Sequence, residues 1–220
     1  MRTTHIPSLA FDLDGTLTNP SEGITRSIAF ALTELGITAP PLASLERYIG
    51  PPLRVAFPDL LQTDDVELVE RAVALYRTRY RNIGLFENVV YPGVPEMLAD
   101  LASTRPLFVA TSKPVDFAER ILRHFGLDRH FTRIFGSQLD GRHDDKGDLL
   151  EHVLSELALP PASLVMIGDR EHDILAARRH GMPTIGVTYG FGSTAELVAA
   201  GADRLAESPD DVARLVATPV

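Results

Sequence analysis

Ser8 to Thr16 reads SLAFDLDGT, a short apolar run that ends in two aspartates, a glycine and a threonine. The apolar residues are too few for a helix, and the residues that follow are typical of a loop, so we expect a buried strand over 8–13. Asp12 and Asp14 are two residues apart, and side chains alternate along a strand, so both carboxylates can lie on the same side. This stretch predicts a strand that carries two carboxylates at its end.

Further apolar runs that read as strands follow from residue 107 onward. They cover 107–110, 132–135, 163–167 and 184–187. Helical patterns alternate with these runs at 94–103, 114–125, 147–157 and 172–181. Strands that are apolar throughout and separated by helices are typical of a parallel sheet covered on both faces. The sequence therefore predicts an α/β fold with a Rossmann-like parallel sheet, whose ligands bind beyond the carboxyl ends of the strands.

The stretch between the first strand and the rest of this pattern has a different character, because it contains no obvious strand. Apolar residues recur at helical spacing in 24–35 and again in 66–80, and prolines separate the short connections. We therefore expect a core domain formed by 1–15 and 89–220, with a helical cap domain, 16–88, inserted into it.

The composition excludes several classes of protein. None of the 220 residues is cysteine, so the chain has no disulfide, thiolate metal site or cysteine nucleophile. The net charge of −9 disfavours binding to a nucleic-acid polymer. The early acid Asp12 and the lack of an apolar run of about 18 residues argue against export and membrane spanning, so we expect a cytoplasmic protein. Among the 21 basic residues only Lys113 and Lys146 are lysines, which singles them out.

Chemically useful side chains cluster at the ends of the predicted strands. The set comprises Asp12, Asp14, Thr111, Ser112, Lys113, Lys146, Asp169 and Asp173. Two carboxylates about 4 Å apart repel by roughly 4 kcal/mol at an effective dielectric of about 20, so a bound cation is needed to offset the repulsion. Carboxylate ligands suit Mg²⁺, which usually binds together with a substrate phosphate. The set contains the parts that phosphoryl transfer requires: a nucleophilic carboxylate, a proton donor and cationic groups for phosphate oxygens.

Several of these residues also have a simpler structural explanation. Asp12 could form an Asx turn, Thr111 could cap a helix, and Asp173 could favour a helix N-terminus electrostatically. Lys113 could be an exposed loop residue. In the helical insertion, Arg54 follows a rigid Gly-Pro-Pro turn and is either a substrate-binding cation or a solvated side chain.

Four segments, in order along the chain, resemble the motifs of the haloacid dehalogenase superfamily. They are DLDGT at 12–16, LFVATS at 107–112, Lys146, and GDREHD at 168–173. The helical insertion lies where this family places its cap. SEGITRSIAFALTELGI, YIGPPL and YPGV are similar to the branch of phosphoglycolate phosphatases and 5′-nucleotidases. Departures are minor: Gly147 follows Lys146 where many relatives carry Pro, and Ser112 stands where Asn is frequent.

The resemblance implies a catalytic and metal-binding role for five residues. Asp12 would be the nucleophile and a Mg²⁺ ligand. Asp14 would be the general acid and base, and its carbonyl would also bind the metal. Lys146 would orient Asp12 and neutralise charge. Asp169 would be the remaining carboxylate on Mg²⁺, and Asp173 would support the metal site.

The resemblance also implies the substrate contacts and the activity. Thr111 would bind the transferred phosphoryl group, Ser112 and Lys113 would lie beside it, and Arg54 is the candidate from the cap. The expected activity is Mg²⁺-dependent hydrolysis of a small phosphorylated metabolite through an aspartyl phosphate. Phosphoglycolate is the first expected substrate and a nucleoside monophosphate the second, with pyrophosphate left open.

Single residues separate this activity from its competitors. A dehalogenase needs no second acid, so Asp14 argues against that chemistry. A phosphonate hydrolase of this superfamily needs a lysine in the cap, and no lysine occurs between Thr16 and Asn88. A phosphomutase stays open. A signalling module phosphorylated on aspartate is the alternative from another class, although such modules lack a large helical insertion. The oligomeric state does not follow from the sequence.

Overall fold

The computed structural model describes residues 7–217. Its strands are β1 (Ser8–Phe11), β2 (Thr18–Asn19), β3 (Val89–Val90), β4 (Leu107–Pro114), β5 (Arg133–Ser137), β6 (Leu164–Gly168), β7 (Thr184–Val187) and β8 (Arg204–Ala206). Its helices are α1 (Ser21–Glu34), α2 (Leu42–Leu45), α3 (Leu53–Leu61), α4 (Val66–Arg79), α5 (Val94–Ala102), α6 (Val115–His124), α7 (Lys146–Leu157), α8 (Glu171–Arg179), α9 (Thr194–Ala200) and α10 (Pro209–Ala217). Short 3-10 helices cover Glu46–Tyr48, Asp128–His130 and Pro161–Ser163, and a π-helical turn covers Tyr80–Gly84. None of the helices within 7–217 is long and apolar enough to cross a membrane.

Six strands form one parallel sheet in the order β5-β4-β1-β6-β7-β8. β1 lies inside the sheet, where Phe11 is in register with Val109 of β4 and with Ile167 of β6. The chain adds strands first on one side of β1 and then on the other, so the connections diverge beside β1. This topology confirms the predicted α/β fold with a Rossmann-like parallel sheet.

The sheet is buried on both faces, which explains why its strands show no polar alternation. Leu9, Ala10 and Phe11 are successive residues of β1 and all are fully buried. Because neighbouring side chains point to opposite faces, both faces of the strand must be covered. On one face Ala10 packs in a cluster with Met166 and Leu150.

The sheet and its helices differ from the prediction in three places. β1 ends at Phe11 and not at 13, because the chain turns there and the Gly15 amide donates to the Thr18 carbonyl. β4 continues past 110 to Pro114 through a shift in register, and the absence of a side chain at Gly136 makes room for it. Sequence patterns missed β8, a three-residue edge strand without an apolar run, and also missed the helices α9 and α10 that precede and follow it.

The contacts of the chain group it into two units. One contains the residues up to Thr18 and those from Val90 onward, and the other is Asn19–Val89. The chain passes from one unit to the other at β2 and β3, which pair with each other. The predicted boundaries, 15/16 and 88/89, fall within a few residues of these points.

The second unit is helical, as its sequence periodicity indicates. Ile28 of α1 and Val73 of α4 are among the buried residues of two amphipathic helices. Asp65 accepts hydrogen bonds from the first turn of α4 and so caps it. The guanidinium group of Arg79 pairs with both carboxylate oxygens of Glu87, at 2.7 and 2.9 Å.

Candidate active site

The carboxyl ends of β1, β4 and β6 meet at one edge of the sheet. Asp12 follows β1, Thr111 lies in the second half of β4, and Asp169 follows β6. The Asp12 amide donates to the Ile167 carbonyl at 2.9 Å, so the pairing of β1 with β6 continues up to the residue where the acids begin. Three neighbouring strands thus bring polar side chains from distant parts of the sequence to one place.

A buried triad of carboxylates lies at this edge. One carboxylate oxygen each of Asp12, Asp169 and Asp173 lies within 4.8 Å of the other two. The exposed fractions of these residues are 7%, 0% and 3%. Burial raises the pKa of Asp169 well above its usual range, and Asp173 and Asp12 raise it further. Three hard oxygen donors that repel one another in a buried site fit a small divalent cation such as Mg²⁺.

Lys146 connects two members of the triad. Its Nζ lies 2.8 Å from Asp12 Oδ1 and 2.7 Å from Asp173 Oδ1. The lysine begins α7, whose N-terminus is capped by the Asp145 carboxylate. Burial opposes its charge, but the two carboxylates outweigh that effect and raise the pKa of Lys146 above its ordinary value. Lys146 is therefore a fixed ammonium group beside Asp12.

Lys113 and Asp14 form a second ion pair in the same region. Lys113 Nζ lies 2.8 Å from Asp14 Oδ2, and the two side chains are 5% and 11% exposed. This burial rules out the exposed-loop reading of Lys113. Burial raises the pKa of Asp14, although Lys113 lowers it. Asp14 Oδ1 is buried and has no hydrogen-bond partner within the described residues, so it is available to carry a proton.

The end of β4 holds Thr111, Ser112 and Lys113 in a shape that differs from a regular strand. Thr111 Oγ1 accepts a hydrogen bond from the Lys113 amide at 3.2 Å, and no side chain caps α6, so Thr111 is not the helix cap considered above. The Ser112 carbonyl accepts a hydrogen bond from Ser137 Oγ at 2.8 Å. A side chain at Gly136 would meet the Lys113 carbonyl at 2.6 Å, so only glycine fits beside this turn.

Asp169 is fixed by residues that sequence reasoning did not single out. The Phe191 amide donates to Asp169 Oδ2 at 2.8 Å, and Thr16 Oγ1 donates to Asp169 Oδ1 at 3.4 Å. Gly15 has a φ of +86°, and an added Cβ there would overlap the Asp169 carboxylate. The glycine-rich stretch that contains Phe191 could have been noticed as a sign of close backbone approach.

Asp173 combines the two roles that the sequence left open. It lies in the first turn of α8, where its Oδ2 accepts a hydrogen bond from the Arg170 amide at 3.2 Å. Its Oδ1 pairs with Lys146. Asp173 is therefore both a helix-capping residue and a member of the buried triad.

Arg54 lies in the helical unit, at the start of α3. Its Nε lies 2.5 Å and its Nη2 3.0 Å from the two carboxylate oxygens of Glu70 on α4. The side chain is thus held by an acid and is not simply solvated. Its predicted contact with substrate stays a prediction.

The arrangement combines a carboxylate held by an ammonium group, a second carboxyl whose pKa is raised, and a triad of acids suited to a cation. Asp12 is the carboxylate, and Lys146 keeps its charge compensated. Asp14 can exchange a proton. These are the groups that nucleophilic phosphoryl transfer with acid-base assistance requires.

Comparison with known proteins agrees with this chemistry. The chain belongs to the haloacid dehalogenase-like hydrolase family, which matches its residues 9–187. A 5′-nucleotidase from Pseudomonas aeruginosa is 52% identical over 192 residues, covering 87% of this chain and 86% of that protein. A phosphoglycolate phosphatase from Neisseria meningitidis is 32% identical over 195 residues, covering 86% of this chain and 83% of that protein.

One further relative carries a different name. The tyrosine-protein kinase PtkA from Mycobacterium tuberculosis is 41% identical over 185 residues, covering 83% of this chain and 62% of that protein, so this chain spans less than two thirds of its length. Among solved structures, a predicted phosphatase from Clostridium acetobutylicum matches with a TM-score of 0.93 and 40% identity, covering 97% of this chain and 99% of that one. The family match, the relatives named as phosphatases and this structure confirm the predicted superfamily and its phosphatase branch.

Proposed function

We propose that the chain hydrolyses a small phosphomonoester with the help of Mg²⁺, through a phosphoryl group carried on Asp12. The observation that supports this most directly is the contact of Asp12 Oδ1 with Lys146 Nζ at 2.8 Å, inside a buried group of acids. The ammonium group orients Asp12 and offsets its negative charge, which suits a nucleophile that attacks an anionic phosphate.

In the first step an oxygen of Asp12 forms a bond to phosphorus while the bond between phosphorus and the ester oxygen breaks. The departing alkoxide needs a proton, and protonated Asp14 supplies it. In the second step Asp14 takes a proton from water as the water oxygen attacks phosphorus. Inorganic phosphate leaves, and Asp12 is free again. The raised pKa of Asp14 suits this exchange, because a carboxyl with an ordinary pKa would hold no proton near neutral pH.

Asp12, Asp169 and Asp173, with the Asp14 carbonyl, would hold Mg²⁺. The bound ion would offset the repulsion between these carboxylates and an anionic phosphate. Thr111, Ser112 and Lys113 at the end of β4 would hold the phosphate oxygens, with hydroxyl and ammonium groups as donors.

The relatives alter the order of the expected substrates. The relative named 5′-nucleotidase is 52% identical, whereas the one named phosphoglycolate phosphatase is 32% identical. We therefore place nucleoside 5′-monophosphates first and phosphoglycolate second, the reverse of the order expected from the sequence motifs. A cytoplasmic location, where both kinds of metabolite occur, remains part of this proposal.

The relative named as a tyrosine kinase raises a second candidate function. In this function the phosphoryl group passes from Asp12 to a hydroxyl group of another molecule or side chain, and not to water. The relative's 41% identity extends over 185 residues, which is 83% of this chain. In that function the phosphorylated aspartate is the same, and only the acceptor differs.

The test is a panel of nucleoside 5′-monophosphates, phosphoglycolate, sugar phosphates and pyrophosphate, assayed for phosphate release with Mg²⁺ and with EDTA. We expect hydrolysis that EDTA abolishes and Asp12→Asn removes. Asp140→Asn, a change at an exposed acid on a loop, is the matched control and should leave turnover unchanged. Activity that survives Asp12→Asn or complete metal removal would overturn the proposal. Label from ATP that appears on a protein tyrosine, without release of phosphate from the panel, would favour the second candidate.

A further inference from the structure

The loop between β7 and α9 contacts the candidate active site although no motif used above includes it. Residues 189–192 have the sequence YGFG, and Glu196 follows in the first turn of α9. We propose that the 189–192 segment and Glu196 act together as a positioning element that holds Asp169 in place for the divalent cation. This inference rests on the proposed function, because it concerns the same cation site.

The first contact is a direct hydrogen bond to the carboxylate. The Phe191 amide donates to Asp169 Oδ2 at 2.8 Å. Thr16 Oγ1 reaches the other oxygen, Oδ1, at 3.4 Å. Asp169 therefore has a donor on each oxygen, which restricts rotation of the carboxylate.

The second contact is steric, and it explains the two glycines. A Cβ added at Gly190 would overlap Asp169 Cβ and the Gly15 carbonyl, and one added at Gly192 would overlap the Asp169 carbonyl. The backbone of the segment thus lies directly against both the backbone and the side chain of Asp169. Any side chain at these positions forces Asp169 or the segment to move.

The third contact ties the segment to the turn after β1. The Tyr189 hydroxyl donates to the Thr16 carbonyl at 3.0 Å, and Tyr91 packs edge-on against its ring with centroids 5.2 Å apart. Burial raises the pKa of Tyr189 above its ordinary value, and Asp169 and Tyr91 raise it further, so the hydroxyl remains a donor. Tyr189 thereby fixes Thr16, which in turn contacts Asp169.

The fourth contact holds the chain immediately after Asp169. Glu196 Oε1 accepts hydrogen bonds from Arg170 Nε at 2.8 Å and from the Glu171 amide at 2.9 Å. The two residues that directly follow Asp169, Arg170 and Glu171, are therefore both anchored to Glu196. Partners that orient a metal ligand without touching the metal commonly matter to affinity by roughly 10–100-fold.

The experiment measures cation binding without substrate. Free Mn²⁺ is monitored by electron paramagnetic resonance as it is titrated with the wild-type chain, with Gly190→Ala and with Glu196→Gln. We expect the Mn²⁺ dissociation constant to rise roughly tenfold or more in both variants. The matched control is Glu156→Gln, which changes an exposed glutamate paired with Arg133. It should bind Mn²⁺ like the wild type.

Thermal unfolding of each variant, followed by circular dichroism, separates positioning from general structure. Glu196→Gln keeps the size of the side chain and guards against the case in which Gly190→Ala does not fold. Wild-type affinity for Mn²⁺ in folded Glu196→Gln and Gly190→Ala, whatever their melting temperatures, would overturn this inference alone. A wild-type chain that binds no Mn²⁺ would overturn the cation in the proposed function and this inference together.

Discussion

The ammonium group of Lys113 lies 2.8 Å from the carboxylate of Asp14, and both side chains are almost fully buried. Lys113 lies in β4 and Asp14 lies in the turn after β1, so the two residues are far apart in sequence. The pair joins the proposed proton donor to a cation that the proposed function also assigns to phosphate binding. In the proposed function, the end of β4 would therefore take part in the acid-base chemistry as well as in phosphate binding.

Replacing Lys113 with Met should lower kcat/KM by roughly 100-fold, as removal of one preorganised charge donor commonly does. The phosphate loses a cation, and Asp14 loses the partner that stabilises its ionised form. Steady-state kinetics on the best substrate of the panel measures the effect. Arg133→Met, which removes an exposed cation from a surface ion pair, is the control and should have wild-type kcat/KM. Equal kinetics for Lys113→Met and Arg133→Met would remove Lys113 from the site.

Replacing Gly15 with Ala should abolish activity and destabilise the fold. Gly15 has a φ of +86°, and an added Cβ would overlap the Asp169 carboxylate. Gly126 also has a positive φ, +66°, but nothing lies within 4 Å of an added Cβ there. Gly126→Ala should therefore show only the backbone cost of about 1–2 kcal/mol in urea unfolding and retain turnover. If Gly15→Ala also retains turnover, the close packing of Gly15 on Asp169 does not matter for catalysis.

Replacing Asp169 with Asn should stabilise the metal-free protein while it removes activity. Burial, Asp173 and Asp12 all raise the pKa of Asp169, so its ionised form is unfavourable in the fold without a cation. Neutral Asn can still accept the hydrogen bond from the Phe191 amide. A gain of about 1 kcal/mol corresponds to roughly 2–4 °C in the melting temperature of a chain of this size.

Differential scanning calorimetry with EDTA and with Mg²⁺ checks this prediction. Mg²⁺ should raise the melting temperature of the wild type and have little effect on Asp169→Asn, because a ligand stabilises only the state that binds it. Asp140→Asn serves again as the exposed control. A lower melting temperature for Asp169→Asn in EDTA would show that the carboxylate contributes to stability without metal.

Acid should destabilise the helical unit, because it protonates Glu87. The hydrogen bonds from Arg79 hold the pKa of Glu87 below its ordinary value of 4.5, although burial opposes them. A group with a lowered pKa stabilises the fold above its unfolded pKa, and this contribution disappears as the pH falls through the lower, folded value. Glu87→Gln should thus cost about 1–2 kcal/mol of unfolding free energy at pH 7 and progressively less below pH 4.5.

Urea unfolding of the wild type and Glu87→Gln at several pH values tests this difference. Glu22→Gln changes an exposed pair with Arg26 one helical turn away, and it should cost under about 1 kcal/mol at every pH. If the unfolding free energies of the wild type and Glu87→Gln differ by the same amount from pH 7 to pH 3, the ion pair of Arg79 with Glu87 is not the source of acid sensitivity.

Local sequence was sufficient for most strands of the sheet and for the acidic and basic residues of the candidate site. The strands β1, β4, β6 and β7 are apolar throughout and lie close to their predicted positions, because burial on both faces leaves a clear pattern. Asp12, Asp169 and Lys146 could be placed near one another, since the carboxyl ends of parallel strands share an edge. The family motifs then gave each residue a proposed role.

Contacts made by backbone groups and by single hydroxyls could not be predicted in the same way. Thr16 and Phe191 hold Asp169 through a hydroxyl and an amide, and almost any residue can supply an amide. Lys113, which pairs with Asp14, lies where the register of β4 shifts, and the apolar pattern does not contain that shift. β8 was missed because an edge strand of three residues leaves too short a pattern.

The burial of both lysines has a consequence for chemical labelling of the protein. The chain has no lysine besides Lys113 and Lys146, and their side chains are 5% and 6% exposed. Acylating or reductively alkylating reagents therefore find no lysine on the outer surface, and their reaction with either one requires access to the candidate site. A ligand that occupies this site should protect both amines, so mass spectrometry of the labelled chain would report occupancy without a substrate assay.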